Sequence, residues 1–318
     1  MSAPPFYDAA AIAAQLPPAA AVDALEAALR SGLDPEADAP RSRVAATAGE
    51  LLLMPSSAGG GLGVKLATVA ERGQPRIQGV YVLFDGATLA PAALLDGIGL
   101  TEVRTSAVSA LAVRHLAAPG AKRLVVFGTG PQARAHVAAL RAIAPLEHVA
   151  VVGRDPERTA AFARALAAEH GDSGALGAGP LAAEAAGPEA VGAADVVCCA
   201  TTARAPLFAG DAVADHATVV AIGSHEPGAR EVDERLAARA TVVVESRASA
   251  LREAGDVIAA IEAGALRAEE LLGLAALVRG EAPVAPDRPR LFKSTGMSWE
   301  DLVLAAAVHA RGRSRAGF

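Results

Sequence analysis

The 318-residue chain is poor in cysteine and in aromatic residues, with two cysteines, one tryptophan and 3% aromatics in all. Cys198 and Cys199 are neighbours in an apolar run. That arrangement suits neither a disulfide framework nor a zinc site, so a reducing cytoplasm and no bound metal are expected. Few aromatics and a formal charge of −6 argue against a nucleic-acid surface. The chain also lacks any run of about 20 uncharged apolar residues, which excludes a spanning helix despite a 52% hydrophobic composition. Many of the apolar residues are alanines, in segments that Asp, Glu and Arg interrupt. The first basic residue is Arg30, so the first stretch lacks the positive region of a secretory signal. A small anionic ligand would have to be met by local basic residues.

What is present changes character near residue 120. RLVVFG (123–128) precedes a helical pattern at 131–143, and HVAVVG (148–153) precedes one at 156–169. DVVCCAT (195–201), TVVAIG (218–223) and TVVVES (241–246) read as further strands. Continuous Val-rich runs predict strands covered on both faces, as in a parallel sheet flanked by helices. The Gly/Ala-rich segment 171–193 is expected to hold a short strand and a helix. Before residue 120 the pattern is antiparallel α+β. It has a helix at 21–32 stopped by Gly32, strands in LLLMP, LGVKLATVAE and IQGVYVLFDG, a hairpin turn at Asp85-Gly86, and a helix at 100–116. A last helix at 298–313 can pack back on the first domain. The fold class expected is α/β, a Rossmann-type doubly wound parallel sheet at 119–294. An N-terminal α+β domain, 1–118 completed by 295–318, accompanies it.

Gly128-Thr129-Gly130-Pro131-Gln132-Ala133 follows a strand and opens a helix. In a dinucleotide cradle Gly128 makes the tight turn and Gly130 lets a pyrophosphate reach the backbone. Pro131 suits the first helical turn. The plainer reading is a strand-to-helix turn without a ligand; the context favours the cradle. An NAD site usually carries an acid at the end of the second strand. Here Gly153 stands there, followed by Arg154, with Arg158 as a second possible contact for a 2′-phosphate. NADP(H) is therefore favoured over NAD(H), although Asp155 can either reach a ribose or only cap the next helix.

Basic residues in apolar settings mark the substrate half. Arg104 shares the stripe of Ala107, Val108, Leu111 and His115 on the 100–116 helix, where an unpaired guanidinium is costly. Lys65 lies within LGVKLATV, and Arg41 and Arg43 precede LLLMP. Converging, they can grip a carboxylate; singly, each is more often a surface or ion-paired residue. His115 reads as a hydrogen-bonded core histidine.

In order, MPSSAGGGLGVKLATV, IQGVYVLFDG, AALLDGIGLTEVRTSAVSALA, GTGPQA and FKSTGMSWEDL resemble the ornithine cyclodeaminase/mu-crystallin family, from about Arg43 to about Val308. The resemblance implies a homodimer whose N-terminal domain and C-terminal helix form the substrate and dimer part. It implies that Arg43, Lys65 and Arg104 hold the substrate carboxylate, with Gln78 near the site; Arg41 can take the place of Arg43. Ser294 and Gly296 would shape the nicotinamide pocket, and Ala200, Thr201 and Gly223 complete the expected cofactor-binding set. Two departures bear on activity. His225 stands where cyclodeaminases of the family carry an aspartate, and either exchanges protons or points away as a loop residue. The pattern Gly-x-x-x-Pro-x-x-Arg-Glu, 223–231, looks more like the family's ketimine and cyclic-imine reductases. Arg76 replaces a threonine common in the family.

The expectation is thus an NAD(P)H-dependent reductase of small cyclic imino acids, such as 1-pyrroline-2-carboxylate or 1-piperideine-2-carboxylate, or a related amino-acid dehydrogenase. Lys65 would deliver the proton. The alternatives are an ornithine or lysine cyclodeaminase using bound NAD, and a non-enzymatic NADP-binding protein of the crystallin kind.

Overall fold

The computed structural model describes residues 3–73, 75–172, 176 and 179–316. It divides into two compact units, Met1–Val108 with Met297–Phe318, and Ser109–Gly296. The first boundary falls inside a helix, α3 (Gly97–Leu116), which contributes to both.

The first unit holds a six-stranded sheet. β2 (Ser42–Ala46), β3 (Gly49–Ser56), β4 (Leu62–Ala70), β5 (Ile77–Phe84) and β6 (Pro91–Asp96) are antiparallel neighbours, and β1 (Phe6–Tyr7) joins β6 in parallel. Alternation along each strand sends Met54, Ser56, Lys65, Ala67, Tyr81, Leu83 and Leu95 to one buried face. Helix α10 (Ser298–Ala316) packs against β3, β4 and β5, and also against α2 (Pro18–Arg30). In α2, Ala21, Val22, Leu25 and Leu29 recur at helical spacing and are buried; Gly32, at φ +99°, ends the turn that follows. The other sheet face carries Leu51, Leu53, Val64, Leu66, Val80 and Val82, all only half-buried. The hairpin between β5 and β6 is longer than a two-residue turn. Residues 85–90 connect the strands, and the Asp85 carboxylate accepts bonds from the Ala87 and Thr88 amides.

The second unit is an eight-stranded sheet in the order β13-β12-β14-β11-β10-β7-β8-β9, with every pair parallel. Its strands are β7 (Arg123–Phe127), β8 (His148–Val152), β9 (Ala182–Ala185), β10 (Val196–Cys199), β11 (Thr218–Ala221), β12 (Thr241–Val244), β13 (Leu272–Gly273) and β14 (Arg290–Lys293). Every residue of β10, β11 and β14 is buried, which is why the Val-rich runs are continuous rather than alternating. From β7 the chain builds β8 and β9 to one side, then returns to β10 and β11 on the other. This is the doubly wound arrangement, with its switch point between β7 and β10. Helices α4 (Pro131–Arg141) and α5 (Pro156–Glu169) follow β7 and β8.

Two details differ from the sequence expectation. Among its described residues, the segment 171–193 forms β9 and a 3₁₀ turn, Pro188–Ala193, and no α-helix; Pro188 opens that turn and Gly192 sits within it. Residues 173–175 and 177–178 of that segment lie outside the described residues. β14 was not foreseen, because its two end charges disguise a central strand. Among the described residues no helix is long and apolar enough to cross a membrane, and no group of three or more His, Cys, Asp or Glu side chains forms a metal cluster.

Candidate functional site

In the first unit, the pleat that buries Ala67 also buries Lys65, between Met54 on β3 and Tyr81 on β5. Helix α10 begins at Ser298, so Glu300 and Asp301 fall in its first turn, where the helix dipole favours acids. Both are fully buried. Lys65 Nζ donates to Asp301 Oδ2 at 2.7 Å and to Thr101 Oγ1 at 3.3 Å. Arg104 Nη1 donates to Glu300 Oε2 at 3.1 Å, and its Nε lies 3.7 Å from Asp301 Oδ1. Lys65 is 3% exposed and Arg104 8%. Charges this deep persist only when paired.

The pairing does not cancel the burial. Desolvation lowers the Lys65 pKa to about 8, with Asp301 opposing and Arg104 and Arg41 adding to the fall. Arg41 directly precedes β2, and its field reaches Lys65. Continuing the β2–β3 register by one residue sets it beside Met54, the cross-strand neighbour of Lys65. Arg43, two residues on, is exposed and pairs with Glu50 at 2.7 Å. Gln78 is exposed opposite Thr68, on the sheet face away from Lys65. Arg76, also exposed, donates to the Ala70 carbonyl, and His115 is half-buried near the end of α3. The structure thus brings Lys65, Arg104 and Arg41 into one electrostatic neighbourhood and leaves Arg43 and Gln78 outside it. Asp38 accepts from the Trp299 amide at 2.8 Å and pins the start of α10. Burial raises its pKa against the bonds from Ser56 and Trp299. The buried Tyr81 hydroxyl has no hydrogen-bond partner among the described residues.

In the second unit, Gly128 ends β7 at φ +111°, and a Cβ there would stand 2.4 Å from the Ala200 carbonyl oxygen. Only glycine fits this approach of two strand ends at the switch point. Gly130 is different: its φ is −95°, and no atom lies within 4 Å of where its Cβ would be. It precedes α4 without giving a side-chain cap, so the first amides of that helix border open space, a fit for a phosphate. Pro131 starts α4, Gln132 follows half-buried, and Ala133 is fully buried. A Cβ on Gly153 would meet Thr159 Oγ1 at 2.3 Å and the Thr129 methyl at 3.3 Å, so a side chain there would require Thr159 to shift. Asp155 caps α5 by accepting from the Arg158 amide at 3.1 Å. Arg154 and Arg158 are exposed, with no ion pair among the described residues.

Buried carboxylates organise the remaining strand ends. Glu231 accepts from the Thr201 amide (2.8 Å), the Thr201 hydroxyl (2.7 Å) and the Gly223 amide (2.7 Å). Burial lifts its pKa to about 7, against the pull of Lys293 and these bonds. Asp256 accepts from the Glu231 and Val232 amides and pairs with Lys293 at 2.9 Å; both partners are fully buried. Burial alone would raise the Asp256 pKa, but Lys293 and the hydrogen bonds outweigh it and hold it low. Lys293 Nζ also donates to Ser224 Oγ at 2.9 Å, and His225 is exposed on the same loop. Glu245, at the end of β12, accepts from the Ser294 hydroxyl and from the amides of Thr295 and Gly296.

Sequence reading passed over Glu300, Asp301, Glu231, Glu245, Asp256 and Lys293 as site residues. One signal was available for Lys293, a lysine in the apolar run RLFK. Glu231, Glu300 and Asp301 lie within the quoted stretches 223–231 and FKSTGMSWEDL, whose motif context was their signal; Glu245 and Asp256 gave none, because a carboxylate that will be buried looks like any surface acid.

Residues 6–316 match the model of the Ornithine cyclodeaminase/mu-crystallin family. A Delta(1)-pyrroline-2-carboxylate reductase of Bacillus cereus (strain ZK / E33L) is 32% identical over 274 residues, 83% of this chain and 82% of the relative. Ketimine reductase mu-crystallin of Rattus norvegicus is 33% identical over 272 residues, 84% of this chain and 82% of its own. The solved structure of Thermococcus litoralis Delta(1)-pyrroline-2-carboxylate reductase, in complex with NADH and L-proline, is 26% identical with a TM-score of 0.86, covering 98% of each chain.

Proposed function

This chain belongs to the ornithine cyclodeaminase/mu-crystallin family, and we propose that it is an NAD(P)H-dependent reductase of small cyclic imino acids, of the 1-pyrroline-2-carboxylate or 1-piperideine-2-carboxylate type. One observation carries the reading: Lys65 and Arg104, from a strand and a helix, are buried together around Asp301 with Arg41 at their edge. That is a setting for a small carboxylate, with the planar guanidinium fixing its orientation. The reductase names of the B. cereus and rat relatives, and the NADH and L-proline bound by the T. litoralis protein, agree with it.

In this reading Arg104 and Arg41 orient the substrate carboxylate, and Lys65 supports it while serving as proton donor. Orientation of this kind supplies several kcal/mol of barrier lowering. The nicotinamide, when bound, supplies the hydride that C2 of the imine accepts. Lys65 gives its proton to the imine nitrogen, so C=N becomes CH–NH, and solvent then recharges the lysine. A pKa of about 8 keeps Lys65 charged at neutral pH yet able to release a proton. On the cofactor side, the open space over Gly130 would take the pyrophosphate against the amides of α4. Ala200, with Thr201 and Gly223 held by Glu231, and Ser294 and Gly296, held by Glu245, would border the remainder. The crowding at Gly153, the capping role of Asp155 and the exposed Arg154 and Arg158 favour NADP(H) over NAD(H). His225, in the place of the cyclodeaminase aspartate, offers no fixed negative charge to a cationic ornithine. The half-buried Leu51, Leu53, Val64, Leu66, Val80 and Val82 form an apolar sheet face suited to a second copy of the chain, which supports a homodimer.

The test is oxidation of NADPH by 1-pyrroline-2-carboxylate, with Arg104→Ala beside the wild type. The wild type is expected to turn over and the variant to lose at least about tenfold in kcat/KM, the worth of one charged hydrogen bond. An inactive wild type across cyclic imines ends the reading, and an unchanged variant removes the clamp. Ammonia released from ornithine with no net change in the nicotinamide band would indicate a cyclodeaminase instead.

A further inference from the structure

We propose that Asp301 is the positioning residue of the proton donor, a single buried carboxylate that holds the Lys65 ammonium in place and restrains Arg104 beside it. The proposal deepens the reductase reading and rests on it only for what receives the proton.

One oxygen of Asp301 takes the Lys65 Nζ bond at 2.7 Å, and the other faces Arg104 Nε at 3.7 Å. The second partner of Lys65 is weaker. Thr101 Oγ1 is 3.3 Å away, and its own proton is committed to the Gly97 carbonyl at 2.7 Å. The charged and titratable groups around Lys65 come from five segments. They are Asp301 and Glu300 on α10, Arg104 on α3, Arg41 before β2, Tyr81 on β5 and Asp38 before Arg41. Burial and both arginines drive the lysine to give up its proton; Asp301 is the group that opposes them. Without it the amine would be largely neutral before an imine arrived.

In the reaction the Lys65 N–H bond breaks as the imine N–H bond forms. Hydride from the reduced nicotinamide, which is thereby oxidised, adds to C2. Asp301 transfers nothing; it fixes where the Lys65 proton sits.

The chain has three lysines, Lys65, Lys122 and Lys293, so ¹³Cε-lysine labelling gives three NMR signals. Lys65→Arg and Lys122→Arg assign them. The Lys65 signal is expected to titrate near 8 in the wild type. In Asp301→Asn it should titrate about 1–3 pH units lower, the usual effect of an opposite charge at this distance. The alkaline limb of kcat/KM for imine reduction should move down with it, while Asp301→Glu, which keeps the charge, should hold the limb near its wild-type place. A purely structural carboxylate would lower the melting temperature and leave the limb where it was. A wild-type Lys65 titrating near the ordinary value of about 10.4, or one unmoved by Asp301→Asn, overturns the proposal. If Asp301→Asn does not fold, the wild-type titration and Asp301→Glu still decide. A wild type inactive on every imine but with the expected lysine titrations would sink the reductase reading and leave the Lys65–Asp301 coupling standing.

Discussion

His136 offers a test of how tightly the cofactor-side helix is built. It lies on α4, fully buried, with Nδ1 2.7 Å from the Gln132 carbonyl and Nε2 2.9 Å from Ser109 Oγ. A carbonyl only accepts, so the proton is on Nδ1 and Nε2 accepts from the serine hydroxyl. Burial lowers its pKa to about 4, against the opposing bond to Gln132. The unfolded chain therefore binds this proton near pH 6.5 and the native chain only near 4. The stability that the neutral ring contributes is complete above about 6.5 and is lost as pH falls through that window. A gap of about 2.5 pH units is worth about 3 kcal/mol.

The wild-type curve alone would hide this loss. Glu231 is raised to about 7, so the native state holds its proton more tightly between about 4.5 and 7, and its contribution changes in the opposite direction. His136→Asn separates the two, because it keeps a donor near Nδ1, cannot titrate, and leaves Glu231 in place. Thermal melts of both proteins from pH 4.5 to 8 should show the variant less stable by a constant margin above pH 7. That margin should close by roughly 5–10 °C toward pH 4.5, since a kcal/mol in a unit of this size is worth about 2–4 °C. A margin independent of pH would refute the buried neutral imidazole.

Three further outcomes follow from the same geometry. Gly130→Ala should fold with an unchanged melting temperature, because nothing lies near its Cβ, yet weaken NADPH binding by at least about tenfold in a fluorescence titration; Gly128→Ala should instead unfold early, by about 2 kcal/mol or more, through strain and the Ala200 carbonyl. Lys293→Met leaves Asp256 charged and buried, and should cost about 3–5 kcal/mol in denaturant unfolding, whereas the exposed Arg43→Ala should cost less than about 1. Arg154→Ala with Arg158→Ala should raise the Kd for NADPH several-fold and leave that for NADH nearly unchanged; equal effects on both would argue against a 2′-phosphate contact.

Much of the second unit was legible before any coordinates. The Val-rich runs of β7, β8, β10, β11 and β12 and the start of α5 at Pro156 are local signals, set by propensity, burial on both faces and capping. β14 was not foreseen because a short run with a charge at each end, Arg290 and Lys293, does not look like a buried strand. Their burial depends on partners 74 and 69 residues away, the His216 carbonyl and Ser224. The same limit applied in the first unit. Lys65 stood out because its immediate neighbours are apolar, and Arg104 because apolar residues recur at helical spacing from it; both contrasts are visible in a linear string. Arg41 and Arg43 could not be told apart, since both precede the same strand at equivalent spacing. The register of β2 on β3 and the position of Glu50 separate them.

By itself, the order of residues determined the two kinds of sheet, the strand-turn-helix around Gly128 and the family to which the chain belongs, because periodicity and motif order are properties of neighbours. Which carboxylate holds which cation was decided only on folding. Asp301 lies 236 residues from Lys65, and only the packing of α10 on the sheet brings them to bonding distance. The exclusion of water there then makes that one pairing matter, since a buried charge is far more sensitive to its partner than an exposed one.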